Sequence, residues 1–405
     1  MNAEPRITVT GGAHIGRAAP EAARLTAIGR AAAGRDDLTL RSVAYSAVDY
    51  PGNTIATEAL VRARLELTAP DGTGVEARLF VKELRSAEHW PLFGVLPQEL
   101  RADFVDFPWR LEIAAYTGPL RDQLPPGMRL PRLHAVDELG PGRAAMWLED
   151  VDEPRDLTWD SDRFARAAYL LGRMSARRRF GEVAPILGAA TRPAEPNSAL
   201  RYLVYGRVRN VFVPAIVSEE LWAHPVVAAA LAAVQDPGLV ADLRAWTSRI
   251  EELLAYCDSL PMTYAHGDAS PQNLLVSAQE PDGFVLIDFG LHCPLPVGHD
   301  LGQLVVGLCH AGIQPADQLP EISRVILAAH ARGLAAEGHP ATIEQIRGGY
   351  LAGLILRSGL STIPLETLNH LDEASSDQVV ELWVERLRTT RALLDLAAHH
   401  TDHEF

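Results

Sequence analysis

The sequence predicts an α+β chain in two parts: an N-terminal antiparallel sheet with a helix, and a larger, mainly helical C-terminal part. Three observations predict it. Alternating apolar residues broken by turn chemistry fill residues 38–150. Helical spacing dominates after about residue 160. One short β island, NLLVSA–QEPDG–FVLIDFG, interrupts the helices.

Residues 1–37 read as an N-terminal extension with a helical piece near Pro20 to Ala33. LTLRSVAYSAVDY and IATEALVRARLELTA follow as two strands, joined through Tyr50-Pro51-Gly52-Asn53. Pro70-Asp71-Gly72-Thr73-Gly74 turns the chain into VEARLFVKEL. There Val75, Ala77, Leu79 and Val81 share one face, and Phe80 and Lys82 share the other. Asp106 and Pro108 are helix-start signals for a helix holding WRLEIAAY, which places Glu112 in its interior. Strand-like segments recur at His134-Ala135-Val136 and Ala144–Leu148. The chain turns sharply polar at Glu149–Glu153, which sets the expected boundary: a 38–150 sheet domain and a 151–405 helical domain. In the second, Phe164, Ala167, Ala168, Leu171 and Met174 repeat at helical spacing, as do Leu301, Leu304, Val305 and Leu308, and Val379, Val380, Trp383 and Leu387. The β island reads as two strands joined by a Pro-Asp-Gly turn.

A chain of 405 residues is comfortable as two cores. No apolar run approaches the ~20 residues of a membrane helix, and the N-terminus lacks a basic start followed by an apolar stretch. Cys257, Cys293 and Cys309 are sparse, odd in number and without metal-ligand spacing, which fits a reducing cytoplasm. A formal net charge of −15 argues against nucleic-acid or anionic-membrane partners. It suits a cationic substrate, or equally a surface kept soluble by its charge.

Lysine occurs once, at Lys82, against free use of arginine elsewhere. A compact ammonium is not replaced by a planar guanidinium without a change of geometry. The lone lysine therefore marks either a site that needs an ammonium or a chance survivor of arginine-biased codon usage.

The strongest signal is AHGDASPQNLLV followed by VLIDFG, which brings His266, Gly267, Asp268, Asn273, Asp288, Phe289 and Gly290 to one hairpin. Phosphoryl transfer needs a carboxylate that orients and deprotonates a hydroxyl, oxygen ligands for Mg²⁺, and positive charge on the donor phosphates. Asp268 supplies the first, Asn273 and Asp288 the second, and Lys82 the third, with Glu112 available to hold the lysine. Each motif alone reads as a turn or an ordinary helix residue. The ordered set is what is specific.

At these residues the chain resembles the aminoglycoside phosphotransferase family, the protein-kinase-like small-molecule kinases. It is similar in particular to phosphotransferases of high-GC actinobacteria, which have close-looking counterparts of WRLEIAAY, MWLEDV and GHDLGQLVVG. The resemblance spans about residues 38–395. It implies a two-lobed protein-kinase-like fold, and transfer of the γ-phosphoryl group of ATP or GTP to a hydroxyl. It further implies Asp268 as base, Asn273 and Asp288 as Mg²⁺ ligands, Lys82 on the phosphates and Glu112 as its partner. Met146 to Val151 resembles the linker whose backbone binds adenine, placing Glu149 and Val151 at the nucleotide. Phe80 is placed either against the base, worth about 1–3 kcal/mol by analogy with other stacked bases, or in the core. His266 and Asp300 are expected to support the catalytic loop.

The chain departs from kinase patterns in three places. Only Gly52 lies between the first two strands, Gly267 stands where protein kinases have arginine, and no Ala-Pro-Glu follows Asp288. The last two argue against a protein substrate. The expected acceptor is a small polar molecule, an aminoglycoside or other antibiotic. The alternatives are a metabolic sugar or amino-alcohol kinase and, from another class, a catalytically silent nucleotide-binding regulatory protein. Glu366, Asp372, Glu373 and Asp377 would suit a cationic acceptor or form a solvated face, and Arg207 and Arg209 would favour an anionic one.

Overall fold

The computed structural model of the protein describes residues 7–49, 54–96, 98–105, 107–183, 195–369 and 376–401. The turn expected at Tyr50–Asn53, the helix-start Asp106, and Asp372 and Glu373 lie outside them. The chain divides into two compact units. One comprises residues 1–118, 129–154 and 277–279, the other residues 119–128, 155–276 and 280–405. The expected α+β class is what the structure has.

The first unit is a six-stranded sheet. Its strands are β1 (Thr8–Thr10), β2 (Thr39–Ala47), β3 (Thr57–Thr68), β4 (Gly74–Arg85), β5 (Leu133–Glu138) and β6 (Arg143–Glu149), in spatial order β1-β2-β3-β4-β6-β5. The pairings are antiparallel except for β1 with β2. β4 is central, with Lys82 opposite Leu60 of β3 and Met146 of β6. The period-2 pattern does its expected work there. Ala77, Leu79 and Val81 are buried in one apolar cluster with Trp147 of β6. At about 1.5–3 kcal/mol for each large side chain, such burial fixes which face of β4 is which.

Helix α1 (Ala22–Ala33) joins that cluster through Leu25 and Ile28, and the segment before it adds Ile15 and Ala18. Residues that read as an extension thus complete the core of the sheet. Helix α2 (Leu111–Thr117) starts later than its sequence signals suggested, because Pro108 and Trp109 sit in the turn preceding it. Glu112 therefore lies in the first turn and not in the helix interior.

The second unit is mainly helical. Helix α3 (Ser161–Arg177) is capped by Asp160, whose side chain accepts from the Arg163 amide at 2.9 Å. Its residues Phe164, Ala167, Ala168, Leu171 and Met174 are fully buried, as the helical spacing predicts. The short strands β7 (Met262–Tyr264) and β10 (Pro294–Pro296) pair antiparallel. Between them runs the hairpin β8 (Leu274–Ser277) and β9 (Glu280–Leu286). Its turn is Ala278-Gln279, not the expected Pro-Asp-Gly. Pro281 sits instead near the exposed start of β9, where a missing N–H is tolerated.

Helix α4 (Asp300–His310) is buried over almost its whole length. Helix α5 (Leu319–Ala336) packs along α3. Helix α6 (Ile343–Leu354) opens with a capping box between Thr342 and Gln345. It runs directly into a π-helical segment, Ile355–Gly359, and Val204–Phe212 forms a second such segment. Helix α7 (Ser376–Thr401) buries Trp383 and Leu387. The three cysteines are buried and unpaired. Among the described residues no single helix is long and apolar enough to cross a membrane. One pair, Pro225–Val234 with Leu239–Thr247, passes on length and composition but is bent by 111°.

Candidate active site

In the second unit the chain leaves β7 at Tyr264 and enters the loop His266–Asn273. Asp300, in the first turn of α4, accepts from the backbone amides of His266 and Gly267, each at 2.9 Å. The His266 ring accepts at Nδ1 from the Asp268 amide, 3.2 Å away, and its Nε2 donates to the Ile287 carbonyl at 2.9 Å. That pattern needs a neutral imidazole. Burial lowers the pKa of His266 and keeps it so, although Asp300 and Asp288 pull the other way. Burial raises the Asp300 carboxyl above its ordinary range, opposed by His266 and the two backbone donors. The buried Arg178 places positive charge near Asp300 and donates to the Leu120 carbonyl at 2.6 Å.

Gly267 has a backbone reason to be glycine. Its φ is +82°, and a Cβ there would stand 2.2 Å from the Leu291 carbonyl oxygen. An arginine at this position is excluded by the path of the loop, whatever the substrate.

Asp268 is half-buried, its side chain 25% exposed. The Asn273 amide nitrogen donates to the Asp268 carbonyl at 2.9 Å, which fixes the amide plane and leaves Oδ1 as its acceptor end. Asp288, two residues beyond β9, is one of the non-glycine residues with positive φ, at 63°. An aspartate held in the left-handed region is a strained arrangement of the sort that functional sites retain. One amide and one carboxylate oxygen on this strained hairpin fit a hard, oxygen-ligated divalent cation. Among the described residues no cluster of three or more His, Cys, Asp and Glu side chains of metal-binding type occurs.

The structure adds a residue that the motifs did not reveal. Arg357, on the π-helical segment after α6, reaches Asp268 Oδ1 with Nη2 at 2.7 Å and donates from Nη1 to the Gly267 carbonyl. The segment is located by Gln303 of α4, whose amide donates to Ser358 Oγ at 2.8 Å in a buried contact. The same helix thus braces the loop through Asp300 and the arginine's neighbour through Gln303. The sequence did carry a signal: Arg357 is the one charge in the apolar run Leu351–Leu360.

In the first unit Lys82 meets Glu112, with Nζ 2.5 Å from Oε2 and both side chains more than nine-tenths buried. Phe80 is half-buried, with the Arg62 guanidinium 6.0 Å from its ring centre. The Glu149 carboxylate is engaged by Arg129 at 2.8 Å and by the Arg132 amide at 3.0 Å, and its backbone N–H donates to the Arg132 carbonyl at 2.9 Å. Val151 follows the end of β6 and is half-buried.

Residues 217–317 match the model of the phosphotransferase enzyme family. This span holds the whole loop from His266 to Asp300. The resemblance to phosphotransferases expected from the sequence is borne out, and the enzyme class with it. No curated protein matches the chain. Solved structures of small-molecule kinases give loose likenesses. An aminoglycoside phosphotransferase from Alicyclobacillus acidocaldarius is 16% identical over 88% of this chain and 92% of its own, with a TM-score of 0.42. A choline kinase from Cryptosporidium parvum is 10% identical over 89% and 90%, at 0.43. An ethanolamine kinase from Plasmodium vivax is 11% identical over 86% and 81%, at 0.41.

Proposed function

We propose that the protein transfers the γ-phosphoryl group of ATP or GTP to a hydroxyl of a small polar molecule, with Asp268 as the base. The observation that carries this reading is the wiring of the His266–Asn273 loop. Asp300 holds its backbone, His266 holds the Asp268 amide, and Arg357 holds the Asp268 carboxylate. A carboxylate fixed at its backbone and at one oxygen is oriented before substrate arrives, which is the form in which positioning contributes to rate. Asp268 takes the hydroxyl proton. The hydroxyl oxygen forms the new bond to the γ-phosphorus as the bond to the bridging oxygen breaks and the nucleoside diphosphate leaves.

Asn273 and Asp288 are the residues that would hold Mg²⁺, which when bound neutralises charge on the donor phosphates. Lys82 is the cation for those phosphates, kept in place by Glu112, and the backbone of Glu149 to Val151 with Phe80 is the surface for the base. Ser270 and Pro271, on the far side of Asp268 in the loop, carry no charge to compete for the acceptor. The test is a coupled nucleotide-consumption assay with Mg²⁺, either nucleotide, and a panel of aminoglycosides, sugars, amino alcohols, nucleosides and hydroxy acids. Acceptor-dependent turnover that disappears in Asp268→Ala, with nucleotide binding retained, supports the reading. Turnover that survives Asp268→Ala removes Asp268 from the role of base. Nucleotide binding with no turnover on any acceptor favours a silent regulatory protein.

A further inference from the structure

Three arginines lie on three elements of the second unit, and two of those elements, Val204–Phe212 and α7, pack against the third, the segment Ile355–Gly359 that bears Arg357. Arg357 is committed to Asp268 and to the Gly267 carbonyl. Arg386 of α7 donates from Nη2 to the His310 carbonyl at 2.5 Å. The His310 ring is 3.2 Å from Thr362 Oγ1, and Thr362 donates in turn to the Ser358 carbonyl at 2.6 Å, next to Arg357. Arg207 stands on the π-helical segment Val204–Phe212, which packs against the π-helical segment that bears Arg357. Its guanidinium lies 5.3 Å from the centre of the Phe212 ring. Buried His310 is pushed down to about 3, by burial first and then by the fields of Arg386, Arg357 and Arg207, so one imidazole feels all three cations.

The charges are unbalanced. Arg209, two residues from Arg207, has Glu251 at 2.7 Å. Neither Arg207 nor Arg386 has an ion-pair partner among the described residues. The acids acting on this region are Asp268, which Arg357 already neutralises, Glu366, which acts on Arg386 from beyond ion-pair distance, and Asp317 and Glu385, which act on neighbouring Cys309, Glu385 being paired with Arg388. Arg386 is half-buried, and a cation withdrawn from water without a counter-charge favours any anion that reaches it. Guanidinium forks suit carboxylate and phosphate oxygens. π-helical segments in otherwise α-helical stretches recur at functional sites, and two of them bear Arg207 and Arg357.

We propose that the acceptor is an anion, a small hydroxylated carboxylate or phosphate ester whose acid group is taken by Arg207 and Arg386 while its hydroxyl faces Asp268. This rests on the phosphotransferase reading and names its substrate class. A polycationic acceptor would meet unpaired guanidinium groups and be rejected by like charge.

The test separates the two readings by using two measurements. Calorimetry at low salt reads binding of gluconate, glycerate, glucose 6-phosphate and glycerol 3-phosphate to the full chain, against kanamycin, choline and glucose. Transfer from labelled ATP reads the reaction. Binding of at least one anion, weakened tenfold or more in Arg207→Gln and in Arg386→Gln and restored in part by Arg386→Lys, is the expected result. The two carboxylates against the two phosphate esters decide which acid group is meant. Arg207 is exposed, so Arg207→Gln keeps the test decisive should Arg386→Gln fail to fold. Phosphorylation of kanamycin, choline or glucose with no anion bound overturns the proposal while leaving the phosphotransferase reading intact. Failure of all four anions to bind also overturns it, whatever the nucleotide does. Anion binding without phosphoryl transfer to any compound upholds the anion site and counts against the phosphotransferase reading.

Discussion

Arg357 Nη2 lies 2.7 Å from Asp268 Oδ1, across a gap in sequence that no short motif spans. The pair is mostly shielded, with side chains 13% and 25% exposed, and the arginine also holds the carbonyl of the preceding glycine. One bond to the carboxylate and one to the neighbouring backbone carbonyl, both from one planar group, fix the direction of the Asp268 side chain relative to its loop.

Arg357→Gln should therefore lower kcat by about 10–100-fold, the scale on which small misplacement of a reacting group costs rate. The KM for nucleotide should change little, because the contact is to the base and not to the donor. Arg357→Lys should recover only part, since an ammonium restores charge without the fork. Steady-state kinetics with nucleotide and acceptor varied separately check this. An unchanged kcat in Arg357→Gln would make the pair a bystander.

The Lys82–Glu112 pair gives a different kind of prediction, because its two side chains are almost wholly buried. Removing one partner strands the other charge. Glu112→Gln should destabilise the protein by about 3–5 kcal/mol, whereas the double change Lys82→Met with Glu112→Leu should cost much less in stability while abolishing turnover. Lys82→Arg keeps the charge but not the shape, and should weaken nucleotide use more than it lowers Tm. Thermal unfolding of the three variants alongside nucleotide titration distinguishes these outcomes.

What the sequence made legible follows from the range of the interactions. Local periodicity placed the strands around Lys82 and the helices around Phe164 and Leu304, because side-chain burial repeats with the backbone. The hairpin turn was misplaced by a few residues, because Pro-Asp-Gly is turn chemistry only where the chain has freedom to turn, and β9 starts before it. Gly267 was legible as a departure but not for its cause, which is the Leu291 carbonyl 24 positions away in sequence, held against it by the fold. Arg357 was hidden for the same reason. Its significance depends on Gln303 holding Ser358, a contact between distant helices.

Asp300 carries two buried backbone donors, those of His266 and Gly267. Asp300→Ala should leave both unsatisfied, at about 1–3 kcal/mol each, and should also release the loop that presents Asp268. Asp300→Asn keeps one acceptor and turns an NH₂ toward the other donor, so it should lose nearly as much. The expected reading is a lower denaturation midpoint in both variants and a fall in kcat larger than any change in nucleotide affinity. A variant with wild-type kcat at reduced stability would confine Asp300 to the fold.

Acid should unfold this protein earlier than its carboxylates alone would. Burial holds His292, His299 and His310 at about 3, and His330 at about 4, against 6.5 for an ordinary histidine. The unfolded chain takes up protons at these four positions near pH 6.5, while the folded chain refuses them until pH 3–4. Stability is therefore complete above about pH 7.5 and falls as pH drops through 6.5 toward 4. With about 1.4 kcal/mol per pH unit for each excess proton on the unfolded side, four histidines give a slope near 5 kcal/mol per pH unit around pH 5. Asp300 and Glu83 oppose this, since burial raises both carboxyls, Glu83 to about 7, and a proton there favours the folded state as pH falls, while His339, held at about 4 by burial, adds to it. Urea unfolding at pH 7.5, 6.0 and 5.0 measures the slope. His292→Phe replaces a buried ring, packed edge-on to Phe289 and Tyr264, by one that cannot titrate. It should flatten the slope by about 1.4 kcal/mol per pH unit. A slope unchanged by that substitution would mean that His292 is protonated alike in both states, and the buried neutral ring would be the wrong description.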